Sequence, residues 1–586
     1  MAESSSLSLS HIRNELKKRE LSGVLIRSTD RYFNEYIPKN ESPRALITGF
    51  DGSVGDAIIT LEGAYLFVDG RYNLQAKSQA SDYSVHVCSH NQSIENNWLS
   101  ALNKIILPGQ ALAFDPATID LKLFKKLRDI SNDSGFSLSS AGRSIIEGVL
   151  VNVEPKAWEI NAISQDITGL GTEEKIDRIH LALDAMNLNA LLIVKLDDIA
   201  WLLNIRSNRY PFQSSVPGIA AVVNKKIILG LPEGLKTLDI TLPKCELVKE
   251  SEFFQRLKSE LTKDSVIAID ERETSQAHEG GLREKEISFR SVMNPIMDLK
   301  AVKNERELAH MREAFYKADQ VVDQTHRYVV ECFEKEQAIC ESDVDAYVQK
   351  SFFASKATEL SFRPICASGK NGAIIHYGTP DSKNYIERGS LFLLDCGAYY
   401  QGGYATDLTR TFLAASQNES AKDWQREMFT LVLMASIRGL SARIRRGTLG
   451  MQLDAIVRQP LWQQGLDFAH GTGHGVGINV HEFPPRVAPS STSVLEPGHV
   501  FSIEPGLYFE DLGGVRIENL ATIVPDPEDE RFVRVLPLTF CPFDERLIEE
   551  KMLSTSDKAF LYYYRAQWQA GAQWPKLPPL SSVEWA

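Results

Sequence analysis

Leu393-Leu-Asp-Cys-Gly-Ala-Tyr-Tyr-Gln-Gly-Gly-Tyr-Ala-Thr-Asp-Leu-Thr-Arg-Thr411 reads as a β-hairpin, because apolar runs flank a Gln401-Gly402-Gly403 turn. With the turn centred on Gln401, Asp395 and Asp407 are symmetric about it and face each other across the ladder. Opposed residues have Cβ atoms about 4.5–5.5 Å apart and share one face. Two carboxylates that close repel unless a cation or a proton lies between them, and hard cations take oxygen ligands. The plainer alternative is a pair of solvated aspartates, one of them at a turn.

A second pair lies downstream. Ser502-Ile-Glu504-Pro-Gly506 and Gly513-Gly-Val-Arg-Ile-Glu518-Asn519 are strand-like runs joined by a glycine-containing loop, each with one glutamate among apolar neighbours. Ile503 and Ile517 beside them imply partial burial, where an unpaired charge is costly. Arg516 could instead neutralise one glutamate in an ordinary salt bridge. Between the two pairs runs Phe468-Ala-His470-Gly-Thr-Gly-His474-Gly-Val-Gly-Ile-Asn-Val-His481-Glu482, whose glycines permit close approach of backbone to a ligand. Three histidines framed by two carboxylate pairs point to a metal site more than to structural imidazoles. Four carboxylates and one imidazole suit two divalent ions of the manganese, cobalt, iron or zinc kind, which activate water.

Other chemistries are excluded. Val476 stands where a dinucleotide-binding fingerprint needs its third glycine, and His481-Glu482 lacks the second histidine of HExxH. The Asp51-Gly-Ser-Val-Gly55 turn begins with Asp, so it is no nucleophile elbow. The seven cysteines form no CxxC pair, and reduced buried thiols are the expectation. A formal charge of −13 argues against nucleic acid and anionic membrane as partners. No apolar run approaches the ~20 residues that span a bilayer. Met1-Ala-Glu-Ser-Ser-Ser6 lacks a basic start followed by an apolar run, so a cytoplasmic chain is expected.

The chain of 586 residues allows two to four domains at roughly 100–200 residues each. An amphipathic helix around Ile12, Leu16 and Leu21 precedes apolar runs of β-character, Gly23–Ile26, Ala45–Thr48, Ala57–Thr60 and Tyr65–Val68. From about residue 172 a similar order returns: a helix through Ile176, Ile179, Leu181 and Leu183, then the apolar runs Ala190–Val194, Trp201–Leu203 and Ala220–Val223. This predicts a weak internal duplication, two α/β domains in tandem. Phe289–Pro295 looks like a boundary, followed by a long helical pattern from Val302 to Val330. A tail from Asp557 holds a helical stretch and a proline-containing end expected to fray. The expected division is 1–160, 161–298 and 299–586.

The set Asp395, Asp407, His474, Glu504 and Glu518 resembles, in order and local motif, the ligands of the pita-bread metallopeptidases, the group of methionine aminopeptidase, prolidase and aminopeptidase P. The nearest match is three-domain aminopeptidase P. The supporting stretches are Gly49–Ser53, Asp69–Tyr72, Asp197–Trp201, Lys300–Asn304, Asn371–Tyr377 and His470–Gly477, spread along the chain. The resemblance implies an α/β (α+β) chain with two creatinase-type N-terminal domains before a pita-bread catalytic domain. It also implies hydrolysis of the N-terminal residue from peptides whose second residue is proline. Two divalent ions, manganese foremost, are the implied cofactors, and a homodimer is an implied assembly. By the same matching, His376, His470 and His481 bind substrate and steady the tetrahedral intermediate or carry protons. Glu504 takes the proton from a metal-bridging water, and Arg71 reaches toward the substrate entrance.

One departure matters. The family places eleven steps between its aspartates, whereas Asp395 to Asp407 is twelve. The extra residue is expected to be absorbed at Gln401–Tyr404 by a longer turn or a glycine bulge; otherwise Asp407 would face the wrong way. Cys396 and Tyr399 replace more usual neighbours and read as packing residues. The alternatives are a prolidase acting on Xaa-Pro dipeptides and a catalytically silent pita-bread binding module.

Overall fold

Two compact units divide the chain, 1–162 with 170–211 and 215–296, and 163–169 with 212–214 and 297–586. The computed structural model describes residues 2–38, 41–88, 92–149, 158–235 and 241–580, so the end of the tail, from 581, lies outside the described residues.

The first unit contains two six-stranded sheets built alike. One runs in the order 84–87, 64–68, 56–60, 23–26, 111–113, 137–139, the other 245–249, 226–231, 219–223, 190–193, 266–269, 288–291. In both, the first strand pairs antiparallel with the second and parallel with the fifth, and the third and fourth are parallel. The same strand order with the same directions twice is the duplication that the sequence pattern predicted. Along Gly23–Ile26, Val24 and Ile26 enter one apolar cluster and Leu25 the opposite one. A strand covered on both faces reads as continuous apolar sequence, without alternation.

Two short apolar runs taken for strands are helices. Pro43–Thr48 begins after Ser42, whose hydroxyl accepts from the Ala45 N–H, and ends at Gly49 with φ +73°. Trp201–Leu203 closes the helix Leu196–Leu203, which has Asp197 and Asp198 in its first turn and a left-handed Asn204 at its end. Proline at the first turn and a left-handed residue after the last are helix signals that outweigh β-propensity.

The second unit positions the carboxylates. Helices Glu305–Glu334 and Glu341–Ala354 pack on the three-stranded sheet 365–368, 390–396, 408–414. Helices Asp423–Leu440, Gly450–Trp462 and Thr555–Gln569 cover the six-stranded sheet 443–445, 532–537, 519–525, 500–503, 473–475, 482–487. Glu305–Glu334 starts with a capping box: the Asn304 side chain accepts from the Arg306 and Glu307 N–H groups, and Glu307 reaches back to the Asn304 N–H.

The hairpin of 390–414 differs from the expectation in register. Asp395 pairs with Thr409 and Cys396 with Leu408, and the bridge Tyr399↔Ala405 keeps the same register. The turn therefore centres on Gly402, with Gly402 at φ +97° and Gly403 at +67°, and the Gly403 N–H bonds to the Tyr400 carbonyl at 2.8 Å. Moving the centre by one residue shifts the pairing by two. Asp407 thus lies diagonal to Asp395 on the same face, not opposite it. The extra residue is taken up inside the turn without a bulge in the ladder. Its tip is held by the Tyr404 hydroxyl on Glu307 Oε1 (2.9 Å) and by the Ser214 hydroxyl on the Gly403 carbonyl (2.7 Å). Cys396 and Tyr399 are buried, as expected of packing residues.

Candidate metal centre

Asp407 stands just before the strand Leu408–Ala414, and His474 is the middle residue of Gly473–Gly475. Glu518 lies between Gly513–Arg516 and Asn519–Pro525. Donor atoms from these three residues all fall within 4.8 Å of one another. Glu504 joins them, its Oε1 at 3.7 Å from His474 Nε2, while Asp407 Oδ2 is 3.5 Å from the same nitrogen. The register explains the glutamates. Ile503↔Asn519 and Gly506↔Arg516 belong to one unbroken alignment, which sets Glu504 opposite Glu518 where the hairpin passes from one sheet to the next.

The local chemistry favours a cation. His474 Nδ1 lies 3.1 Å from the Gly475 carbonyl, which can only accept, so that nitrogen donates and Nε2 is the one that faces the carboxylates. Glu518 also accepts from the Thr409 hydroxyl at 2.8 Å. Burial and the Asp395 charge push the Glu518 carboxyl up to about 7. Burial, then Glu518, Asp395 and Glu504, raise Asp407 well above the usual carboxylate range. Among the described residues, Asp395 Oδ1 is buried with no hydrogen-bond partner. An orphaned carboxylate oxygen beside two carboxyls that resist ionisation fits a set of donors shaped around divalent ions.

Arg516 does pair with a carboxylate, but not with a glutamate of its own hairpin. Its Nη2 donates to Asp395 Oδ2 at 2.6 Å and its Nη1 to the Tyr508 hydroxyl at 2.9 Å. Burial works against the charge on Arg516, yet Tyr508 and Asp395 around it raise its pKa overall. From Tyr508 the contacts continue to His470 Nε2 (2.9 Å), and His470 Nδ1 meets the Gly471 carbonyl (2.7 Å). Both ring nitrogens of His470 thus have protein partners. Glu504 Oε2 lies 4.0 Å from its Nδ1.

The remaining sequence candidates fall in different places. His481 is exposed and sets its ring edge-on to His474, centroids 4.4 Å apart. His376 is half-buried in the segment after the short 3₁₀ helix Gly369–Ala373. Arg71 belongs to the first unit, where it grips Asp69 through Nε (3.0 Å) and Nη2 (2.8 Å). The same Asp-x-Arg hook recurs at Asp270/Arg272, Asp529/Arg531 and Asp544/Arg546, so the grip of Arg71 on Asp69 is a local turn device. The glycines beside the histidines serve packing: a Cβ on Gly473 would stand 1.8 Å from the Ser502 carbonyl oxygen, and one on Gly475 2.4 Å from that of Glu482. At these two positions the missing Cβ lets the strands close up, whereas one on Gly471 would meet only ordinary contacts at 3.5 Å.

The comparisons with known proteins agree along the whole chain. Residues 309–525 match the model of metallopeptidase family M24, and 9–145 and 153–307 each match a creatinase/prolidase N-terminal domain. A probable Xaa-Pro aminopeptidase P of Neurospora crassa is 30% identical over 583 residues, covering 94% of this chain and 84% of the relative. That of Metarhizium acridum is 30% identical over 600 residues, covering 96% and 95%. This chain belongs to the Xaa-Pro aminopeptidase P group of metallopeptidase family M24.

The crystal structure of X-prolyl aminopeptidase from Caenorhabditis elegans, described as a cytosolic enzyme with a dinuclear active site, superposes with a TM-score of 0.90 at 24% identity, covering 97% of this chain and 96% of that one. The prolidase of Pyrococcus horikoshii covers only 64% of this chain, at a TM-score of 0.51 and 27% identity. The fold is therefore the pita-bread metallopeptidase domain preceded by two creatinase-type domains.

Sequence reasoning missed the supports around this M24 site. Tyr508 links Arg516 to His470. Arg458, buried on Asp454 at 3.0 Å and over the Phe468 ring at 3.7 Å, holds the His470 carbonyl at 2.6 Å. Asp454 also accepts from the Thr472 hydroxyl at 2.6 Å. The only sequence signal was the Asp454/Arg458 spacing of four on a helix, which usually marks a solvated pair.

Proposed function

We propose that the chain removes the N-terminal residue from peptides whose second residue is proline, with Asp395, Asp407, His474, Glu504 and Glu518 holding two divalent cations. The observation that carries this reading is the convergence of Asp407, His474 and Glu518 on one point, with Glu504 Oε1 3.7 Å from His474 Nε2 and with Asp407 and Glu518 resisting ionisation. A donor set of four carboxylates and one imidazole suits divalent ions of the manganese, cobalt, iron or zinc kind, and manganese is the one that the family resemblance puts first. When bound, such ions supply positive charge to the scissile carbonyl and acidify water toward a pKa of about 7.

The chain's own groups then do the rest. Glu504, half-buried where Glu518 is buried, takes the proton lost by the attacking water. His481, exposed beside His474, and His376 hold the peptide and steady the developing oxyanion. His470 is kept in one orientation by Tyr508 and Gly471, which links the substrate side of the site to Arg516 and Asp395. The expected division into parts at about residues 160 and 298 assigns this chemistry to the last part.

A peptide panel tests the specificity. Arg-Pro-Pro is expected to release arginine in the presence of manganese, while Arg-Ala-Ala is left intact. Cleavage confined to the Ala-Pro dipeptide would make the chain a prolidase, and equal cleavage of both tripeptides would remove proline from the reading.

A further inference from the structure

Glu341 opens the helix Glu341–Ala354 and is fully buried, 0% exposed. A helix N-terminus favours a negative charge at that place, but its side-chain partners come from elsewhere. Among the described residues, the donors to its carboxylate all lie in the segment 368–381. Oε1 accepts from the Ser368 N–H at 2.8 Å and the Asn371 amide at 3.0 Å. Oε2 accepts from the Tyr377 hydroxyl at 2.7 Å and the Asp381 N–H at 3.4 Å. The Asn371 amide also reaches the Tyr377 hydroxyl at 3.0 Å. An ionised carboxylate accepts at about four lone-pair sites and donates nothing, and here all of that capacity faces one loop.

The loop so gathered is the one that bears His376. It leaves the strand Ile365–Ser368, makes the 3₁₀ turn Gly369–Ala373, and is closed by the Ile374 N–H on the Asn371 carbonyl (3.0 Å) and the Tyr377 N–H on the Ile374 carbonyl (3.1 Å). Tyr377, the residue after His376, sits in a small apolar cluster with Ile365, Ala367 and Leu393. Its hydroxyl on Glu341 and its ring in that cluster fix the backbone one residue from the imidazole. At the far side, the Ser342 hydroxyl donates to the Pro380 carbonyl (3.0 Å) and the Glu341 N–H to the Asn384 carbonyl (3.3 Å).

We propose that Glu341 is the positioning residue of His376: its carboxylate, through Asn371 and Tyr377, sets where the imidazole meets the peptide. This rests on the reading of His376 as a substrate-contacting group. Glutamine at 341 keeps the shape but turns an acceptor into a donor facing donors, so the loop must move.

The experiment is a double-mutant cycle on the metal-loaded full chain with Arg-Pro-Pro, comparing wild type, Glu341→Gln, His376→Ala and the double variant. Bound metal and Tm are measured on each. A displacement of the order of 1 Å costs about 100-fold in rate, so Glu341→Gln is expected to lower kcat by about that factor, with bound metal unchanged. In the His376→Ala background the same change is expected to cost about twofold or less, because the group it positions is gone. An equal loss in both backgrounds, or a loss that follows the metal content, overturns the inference while leaving His376 in its role. A His376→Ala variant as active as wild type overturns both. Should Glu341→Gln fail to fold, Tyr377→Phe, which removes only the hydroxyl, carries the same cycle with the same criteria and a smaller expected loss.

Discussion

The aspartate hairpin and the glutamate hairpin each deliver two carboxylates to one place, yet they do it differently. In the first, Asp395 and Asp407 are diagonal, because the turn centres on Gly402, and Asp395 is met by Arg516 at 2.6 Å. In the second, Glu504 and Glu518 stand opposite each other at the break between strands. So the protein itself balances one carboxylate of the aspartate pair. Asp407 and Glu504 instead face the His474 imidazole, at 3.5 and 3.7 Å from its Nε2, and the Asp407 and Glu518 carboxyls stay raised even with Arg516 nearby. The positive charge missing from that side is what a divalent ion brings.

The widest break in this comparison is Asp407→Asn or Glu518→Gln. Loss of several kcal/mol of metal-derived stabilisation, at tenfold per 1.36 kcal/mol, is expected to lower kcat/KM by about 1,000-fold or more. Bound metal, read by elemental analysis, is expected to fall with it. Retention of both full metal content and activity would separate the buried carboxyls from the ions.

Arg516→Met comes next. Removing one partner of a buried pair costs about 3–5 kcal/mol, so Tm is expected to drop sharply in the chelated protein. In an Asp395→Asn background the same change is expected to be far milder, because no charge is left stranded. Additive losses would show that Arg516 acts through Tyr508 rather than Asp395.

Chelation sharpens the contrast through pH. The Glu518 carboxyl is raised from its ordinary value to about 7 in the folded protein without ions. The folded state then holds a proton that the unfolded state releases, and its stability falls as pH rises from about 4.5 to 7. The Tm difference between manganese-loaded and chelated protein is therefore expected to be larger at pH 8 than at pH 5, and ion binding near pH 6 is expected to release protons. A difference independent of pH would contradict the repulsion assigned to Asp407 and Glu518.

The smallest effect belongs to the turn that sets the diagonal. Alanine at Gly402 would take φ +97° and place its Cβ 2.6 Å from the His310 ring. A left-handed non-glycine residue costs about 1–3 kcal/mol. Denaturant unfolding is expected to register that loss with metal content kept; metal loss would mean that the tip controls Asp407 directly.

These contrasts also mark what the residues could tell in advance. The carboxylates and His474 were legible because each sits beside turn glycines in short apolar runs, a local pattern. Their pairing was not, since a one-residue shift of the turn centre from Gln401 to Gly402 changes every partner. Arg516 was visible as a possible counter-charge, but its partner Asp395 lies 121 residues away. Tyr508 and Glu341 carry no local pattern of their own, and Arg458 shows only an ordinary spacing of four from Asp454, because the partners that tie them to the site come from other elements brought in by the fold. The misread helices Pro43–Thr48 and Leu196–Leu203 did have a signal, in Ser42-Pro43 and Gly49 and in Asp197, Asp198 and Asn204; it was outvoted by apolar composition.

The central claim is that the carboxylate cluster works by holding two divalent ions. Manganese titration of the chelated protein, with bound metal and Arg-Pro-Pro cleavage followed together, tests it most directly. The expected result is no cleavage without metal, activity that rises as the cluster fills, and about two ions per chain at saturation. Full cleavage by protein holding no measurable divalent metal would contradict it.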